Sequence, residues 1–164
     1  GQEAFELLDN SLLAIKPKLK DNCNIYIFCS WKVVDKFMEI IKKHYEIKSI
    51  IVWVKNNHGS GDLNNWADKH ELIIYATNGK PALYGDRPVN VLEYSRTNEY
   101  HSCEKPVNLL KYIIEKSTLE SELVVDMFAG SGSTAVACKE TRRNYIVFEI
   151  DEQNHFIINK RLCL

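Results

Sequence analysis

The sequence predicts an α/β fold, a mostly parallel sheet with helices on both faces. Three observations carry that expectation. Helical and strand periodicities alternate along the chain. The strand candidates, such as NIYIFCS at 24–30 and ELVVDMF at 122–128, are nearly continuous apolar runs of the kind covered on both sides. A Gly/Ser turn at 129–133 joins one such run to a short helix. At 164 residues, 45% hydrophobic and 26% charged, the chain has one domain's length and can bury a sizeable core, which excludes disorder, collagen-like repeats and small disulfide scaffolds.

Phe5, Leu8, Leu12 and Ile15 fall at helical spacing, and Lys16-Pro17 stops that helix because proline disfavours a helical residue before it. A buried strand follows at 24–30. Val33, Val34, Phe37, Ile40 and Ile41 restore the helical period over 31–43, and IKSIIVWV at 47–54 is a second buried strand with Trp53 in the core. Residues 55–69 (KNNHGSGDLNNWADK) replace the apolar period with Gly, Ser and Asn, and predict an exposed loop. ELIIYAT at 71–77 is a third strand, ended by Asn78-Gly79-Lys80-Pro81, and residues 85–101 show no period. Pro106 opens a helix to about Glu115, with Val107, Leu110, Ile113 and Ile114 on one face. A strand at 122–128, the glycine turn, a short helix through Ala135, Val136 and Ala137, a strand at 144–150 and a helix to about Arg161 complete the order. Residues 1–164 read as a single domain, within which 55–70 and 78–101 are candidate mobile or target-recognition segments.

Twenty-one basic and twenty-two acidic residues leave a net charge of −1, so any nucleic-acid contact must come from a local basic patch. The five cysteines lack a C-x-x-C pair and predict reduced, mostly buried thiols, without a disulfide framework or a zinc site. His70-Glu71 lacks the second histidine that a helical metal site needs. Apolar runs are too short to span a bilayer and no secretory leader opens the sequence, so a soluble, cytoplasmic protein is expected.

The sharpest segment is DMFAGSGST at 126–134. It follows a strand and opens a helix, so Gly130 and Gly132 let the backbone turn beside a ligand while helix amides point at it. One strand later, Glu149 stands at a strand's carboxyl end, where an acid accepts hydrogen bonds from ribose hydroxyls. A phosphate-binding P-loop is excluded, since no lysine follows Gly132. A dinucleotide fingerprint fits loosely through Gly130, Gly132 and Ala135, although few residues follow Glu149. A third reading is a methyl-donor site, and a fourth a turn that merely connects strand and helix.

The run from His101 to Leu162 resembles the C-terminal half of the amino-methylating DNA methyltransferases of the β arrangement, which use S-adenosylmethionine. The HSCEKP segment at 101–106 precedes a loop similar to the family's Asp-Pro-Phe-x-Gly-Ser-Gly-Thr-Thr, and an acid follows one strand later. Upstream, KSIIVWVKNN and HELIIYATNGKP resemble the family's middle strands. The resemblance implies a Rossmann-like methyltransferase fold. It places Asp126, Phe128, Ala129, Gly130, Ser131 and Gly132 along the cofactor, Glu149 on its ribose, and Lys105 with Ser102 and Cys103 near its methionine carboxylate. A cation and helix-terminal amides suit a carboxylate. Met127 stands where the family usually has Pro, and Val147 where it often has Gly.

The family's catalytic Asp/Asn/Ser-Pro-Pro-Tyr loop does not occur in the 164 residues and would belong just before Gly1. The chain therefore reads as a methyltransferase without its first two strands, about thirty residues, whose place another segment or a subunit, a second copy included, would fill. Because such enzymes extrude the target base, Asn56, Asn57, His58, Trp66, Lys69, Arg87 and Arg96 are candidates for base and phosphate contacts in DNA; a solvated polar loop with Trp66 tucked into the core is the alternative. Ser30-Trp31, at a strand's carboxyl end, is a candidate border of the cofactor pocket. The implied reaction is methylation of the exocyclic amine of adenine or cytosine, as in restriction–modification. The alternatives are an inactive cofactor- or DNA-binding remnant and a dinucleotide-dependent enzyme.

Overall fold

The computed structural model describes residues 2–58, 63–97, 99–100 and 103–163. The chain divides into two compact units, one of residues 1–82 with 89–93 and one of residues 83–88 with 94–164.

In the first unit, α1 (Gln2–Ile15) turns Leu8 and Leu12 inward, and the chain leaves it through a 3-10 turn at Lys16–Lys18 that carries Pro17. β1 (Cys23–Cys29), α2 (Val34–Ile41) and β2 (Glu46–Val54) follow as the apolar periods predict. β3 (His70–Asn78) then pairs antiparallel with both β1 and β2, and the short β4 (Val91–Glu93) pairs parallel with β2, giving the order β1-β3-β2-β4. The sheet is therefore mixed where the sequence predicts mostly parallel pairing. The reason is local: β1 and β2 are joined through a helix and run the same way, whereas among the described residues no helix separates β2 from β3, and β3 returns in the opposite sense and inserts between them. β4, at three residues, is too short to show a period.

The core of this unit holds Leu8, Leu12, Ile40, Ile41, Tyr45, Trp53, Ile73, Ile74 and Ala76. Trp53, 1% exposed, takes the core place expected of it. Phe5 and Phe37 meet edge to face at 6.0 Å, and the Tyr45 hydroxyl donates to the Leu12 carbonyl at 3.2 Å, which fixes α1 to the end of α2.

The second unit contains α3 (Val107–Ser117), β5 (Leu123–Asp126), α4 (Ser133–Glu140), β6 (Asn144–Val147) and α5 (Glu152–Leu162). β5 and β6 are parallel with α4 as the crossover. Ala129, Ala135, Ile158 and Leu162 form a cluster against which Val136, Tyr145 and Val147 pack. Ile146 on β6 and Phe148 and Ile150 beyond it are exposed, as is Leu123 on β5, so the expectation that the run at 122–128 is covered on both sides fails at Leu123. Strand pairing as such ends earlier than predicted, yet the backbones stay joined: Phe148 N–H donates to the Asp126 carbonyl at 2.8 Å and Ala129 N–H to the Phe148 carbonyl at 2.9 Å.

The five cysteines are not paired with one another. Cys29 and Cys138 are buried, Cys23 is half-buried, and Cys103 and Cys163 are exposed, so burial is less general than expected. Burial, reinforced by the charge of Glu71, pushes the Cys29 thiol up to about 11. Among the described residues no helix is long and apolar enough to cross a membrane.

Candidate functional site

β5 delivers Asp126 at its carboxyl end, and the acid braces the glycine turn. One carboxylate oxygen accepts from the Phe128 N–H at 3.0 Å and the other from the Thr134 hydroxyl at 2.5 Å, linking the start of the turn to the first turn of α4. Gly132 caps α4 in the left-handed conformation, φ +82°, and a Cβ there would lie 2.8 Å from Ile158 Cγ1 on α5. Only glycine meets both demands. Gly130 is also left-handed, φ +53°, but a Cβ there would meet nothing within 4 Å. The turn is therefore closed on the α5 side at Gly132 and open at Gly130.

Glu149 comes to the turn from the strand beside it. Its Oε2 accepts from the Gly130 N–H at 2.7 Å, and its Oε1 from the Ile150 and Asp151 N–H groups at 2.8 and 2.9 Å. Burial opposes ionisation of this carboxyl. The N–H groups of Asp151, Gly130 and Ile150, with the Asn154 side chain, outweigh burial and hold it below the usual carboxylate range. Asp151 also caps α5 by accepting from Gln153 N–H at 2.8 Å, so Glu149 sits on a rigid strand-to-helix junction.

The amides of the turn that precede α4 are engaged within the protein. Phe128, Ala129, Gly130 and Gly132 all donate their N–H groups inside the protein. Beside the turn stand the half-buried Glu149 carboxylate, held in its charged form by the Asp151, Gly130 and Ile150 N–H groups, the exposed ring of Phe128 and the side chain of Ile150, which is 98% exposed. The N–H groups of Phe128, Ala129, Gly130 and Gly132 are thus not offered to a phosphate. A ribose diol, an apolar purine and a cationic sulfonium suit the same surface.

The segment before α3 joins this site through Glu104, whose Oε1 accepts from the Ser133 hydroxyl at 3.4 Å. Lys105 Nζ donates to the Cys103 carbonyl at 3.3 Å, and Cys103 is exposed. Ser102 lies outside the described residues.

Comparison with known proteins agrees. A family model described as DNA methylase, for N6 and N4 methyltransferases, matches residues 82–160. The type II methyltransferase M2.DpnII of Streptococcus pneumoniae is 39% identical over 182 residues, covering 98% of this chain and 68% of that protein. The putative methylase YubD of Escherichia coli (strain K12) is 34% identical over 165 residues, covering 99% of this chain and 72% of that protein. The chain belongs to the amino-methylating DNA methyltransferases. The crystal structure of the M1.HpyAVI–SAM complex superposes with a TM-score of 0.86 at 26% identity, over 100% of this chain and 85% of that one. The methyltransferase cofactor is S-adenosylmethionine, and the residues just described fit it.

The DNA candidates do not form one cluster within a unit. Asn56, Asn57, His58, Trp66 and Lys69 are exposed in the first unit. Arg87, exposed, and Arg96, half-buried, belong to the second. Trp66 is 95% exposed, so the alternative that it tucks into the core is overturned. The loop that carries it is pinched at its base, where Lys55 N–H donates to the Lys69 carbonyl at 2.9 Å. Trp31, expected near the cofactor, donates its indole N–H to Asp68 at 2.8 Å at the same loop.

Sequence reasoning did not single out Ile150, which follows Glu149 directly and is 98% exposed. It also missed Glu104 and Arg161, which only folding brings together.

Proposed function

We propose that this methyltransferase chain binds S-adenosylmethionine at the glycine turn and serves methyl transfer to the exocyclic amine of adenine or cytosine in DNA. The observation that carries the reading is the hydrogen bond from Gly130 N–H to the Glu149 carboxylate, which makes one site of two motifs. In this reading Glu149 accepts from the ribose hydroxyls, and Phe128 and Ile150 flank the adenine. The open side of Gly130, with Ala129, Ser131, Gly132 and Asp126 shaping the turn, admits the methionine portion. Lys105 and Cys103 border its carboxylate end.

When bound, the cofactor supplies a sulfonium methyl group that passes to the amine nitrogen, leaving the thioether while the nitrogen gives up a proton. The chain's own contribution is to hold the donor in one orientation against the extruded base, which is worth several orders of magnitude in rate when reacting atoms are aligned. On the DNA side, Trp66 supplies a stacking face for an unstacked base or its orphan partner, Asn56, Asn57 and His58 supply polar contacts, and Lys69, Arg87 and Arg96 meet phosphates. This matches the absence of a strong net charge, since few cations are required.

The test is transfer of a labelled methyl group from S-adenosylmethionine to unmethylated duplex DNA, followed by nucleoside separation. Label in N6-methyladenine or N4-methylcytosine is the expected outcome. Saturable cofactor binding without any label would leave a cofactor-binding module and overturn the transfer part of the proposal.

A further inference from the structure

Arg161, in the last turn of α5, reaches back to the glycine turn. One guanidinium nitrogen donates to the Ser131 carbonyl at 2.9 Å and lies 3.2 Å from the hydroxyl oxygens of both Ser131 and Ser133. The other terminal nitrogen stands 3.2 Å from Glu104 Oε1, and the guanidinium carbon lies 4.5 Å from the centre of the Tyr100 ring. Glu104 in turn accepts from the Ser133 hydroxyl and, at 3.2 Å, from the Tyr100 N–H. Both charged side chains are almost wholly removed from water, 8% and 3% exposed. An ion pair this dry persists only when the remaining donors and acceptors are also satisfied, as they are here by the serines and the backbone.

One helical turn earlier, Ile158 closes on Gly132 from the same face of α5. The helix therefore grips the turn at two points, with an apolar contact at Gly132 and a charged fork at Ser131 and Ser133. Gly130, whose N–H meets Glu149, is the residue directly before the gripped stretch.

We infer that Arg161 is a positioning residue for the methyl-donor site. By fixing Ser131 and Ser133 it sets the backbone conformation from which Gly130 meets Glu149 and keeps its open side toward the cofactor, without touching the cofactor itself. The inference rests on the methyl-donor reading of the turn. Arginine is required because its planar fork serves the Ser131 carbonyl, two hydroxyls and Glu104 at once. A lysine keeps the charge opposite Glu104 but cannot span that set.

The test compares the unaltered chain with Arg161→Lys and Glu104→Gln by calorimetric titration with S-adenosylmethionine, amide NMR spectra and thermal unfolding. Arg161→Lys is expected to raise Kd about tenfold or more and to move the Gly130 and Gly132 amide signals. Glu104→Gln, which removes the charge opposite the buried guanidinium but leaves the Ser131 and Ser133 acceptors in place, is expected to lower the melting temperature and to raise Kd less than Arg161→Lys does. Unmoved amide signals in Arg161→Lys overturn the inference. So do equal losses of affinity in both variants that follow their melting temperatures, the behaviour of a pair that only holds the fold. Should Arg161→Lys fail to fold, Ser133→Ala replaces it, with a Kd rise of about threefold expected and an unchanged Kd overturning the inference. If the unaltered chain takes up no cofactor, the methyl-donor reading itself fails, and the amide signals alone decide the part played by Arg161.

Discussion

Gly130 and Gly132 sit two residues apart yet make separable demands. At Gly132 an added methyl group adopts a left-handed backbone and also pushes into Ile158. Gly132→Ala should therefore destabilise the protein by about 2–4 kcal/mol, a melting-temperature loss of roughly 5–15 °C in a scan. At Gly130 the backbone penalty remains, about 1 kcal/mol, but the methyl group points into open space. Gly130→Ala should lower the melting temperature by only a few degrees while weakening S-adenosylmethionine by about tenfold or more, because that space is where the proposed cofactor lies. Glu149 sets the pH behaviour. Its carboxyl is held below the usual value of 4.5, so its contribution to folding and to cofactor binding is complete above that value and is lost as pH falls through its own, lower pKa. Cofactor affinity measured from pH 5.5 to 8 should show no titration from this residue, and a steep loss of affinity between pH 7 and 5.5 would remove Glu149 from the site. At this scale the sequence was informative where a residue's chemistry is local: the glycines and Glu149 are recognisable by type and spacing. Arg161 and Glu104 are not, because each reads as an ordinary surface charge until the fold buries them together.

At the scale of elements, helices and strands were legible wherever a period ran for seven or more residues, as in α1, β2, β3 and α3. β4 escaped because three residues carry no period. The direction of β3 goes with a simple feature of the chain, the lack of a helix among the described residues between β2 and β3, and it turns a parallel expectation into a mixed sheet. The exposure of Leu123 on β5 was misread because an apolar run predicts burial without saying which faces have a neighbour. The loop between β2 and β3 was read correctly as exposed, and it carries Leu63 and Trp66, both more than nine-tenths exposed. Such side chains contribute little to folding, so Trp66→Ala should leave the melting temperature within about 1 °C and cofactor affinity unchanged. The same variant should weaken binding to a DNA duplex carrying an abasic or mismatched target by about tenfold, as loss of one stacking contact does. An electrophoretic or fluorescence titration checks it, and equal DNA affinity would return Trp66 to the status of a bystander.

For the whole molecule, the chain crosses between its two compact units within 83–93 without a change in composition or a linker. Net charge was directly legible and constrains DNA binding. With a balance of −1 and three basic candidates at Lys69, Arg87 and Arg96, the logarithm of DNA affinity should fall with the logarithm of salt concentration at a slope of about −2 to −3. A slope near about −6 would mean a larger basic surface than these residues supply. Family membership rests on relatives that this chain spans to 68% and 72% of their length, and the proposed cofactor site lies wholly within the part they share. In the proposed reading, the turn at Gly130 and the acid at Glu149 form a site for a sulfonium nucleoside and not for a phosphate. Calorimetric titration of the chain with S-adenosylmethionine, with NAD under the same conditions, tests it most directly. Saturable binding of S-adenosylmethionine, abolished by Glu149→Ala, with no heat from NAD, is the predicted result. Binding of NAD in place of the methyl donor, or no binding of either by a folded chain, would contradict it.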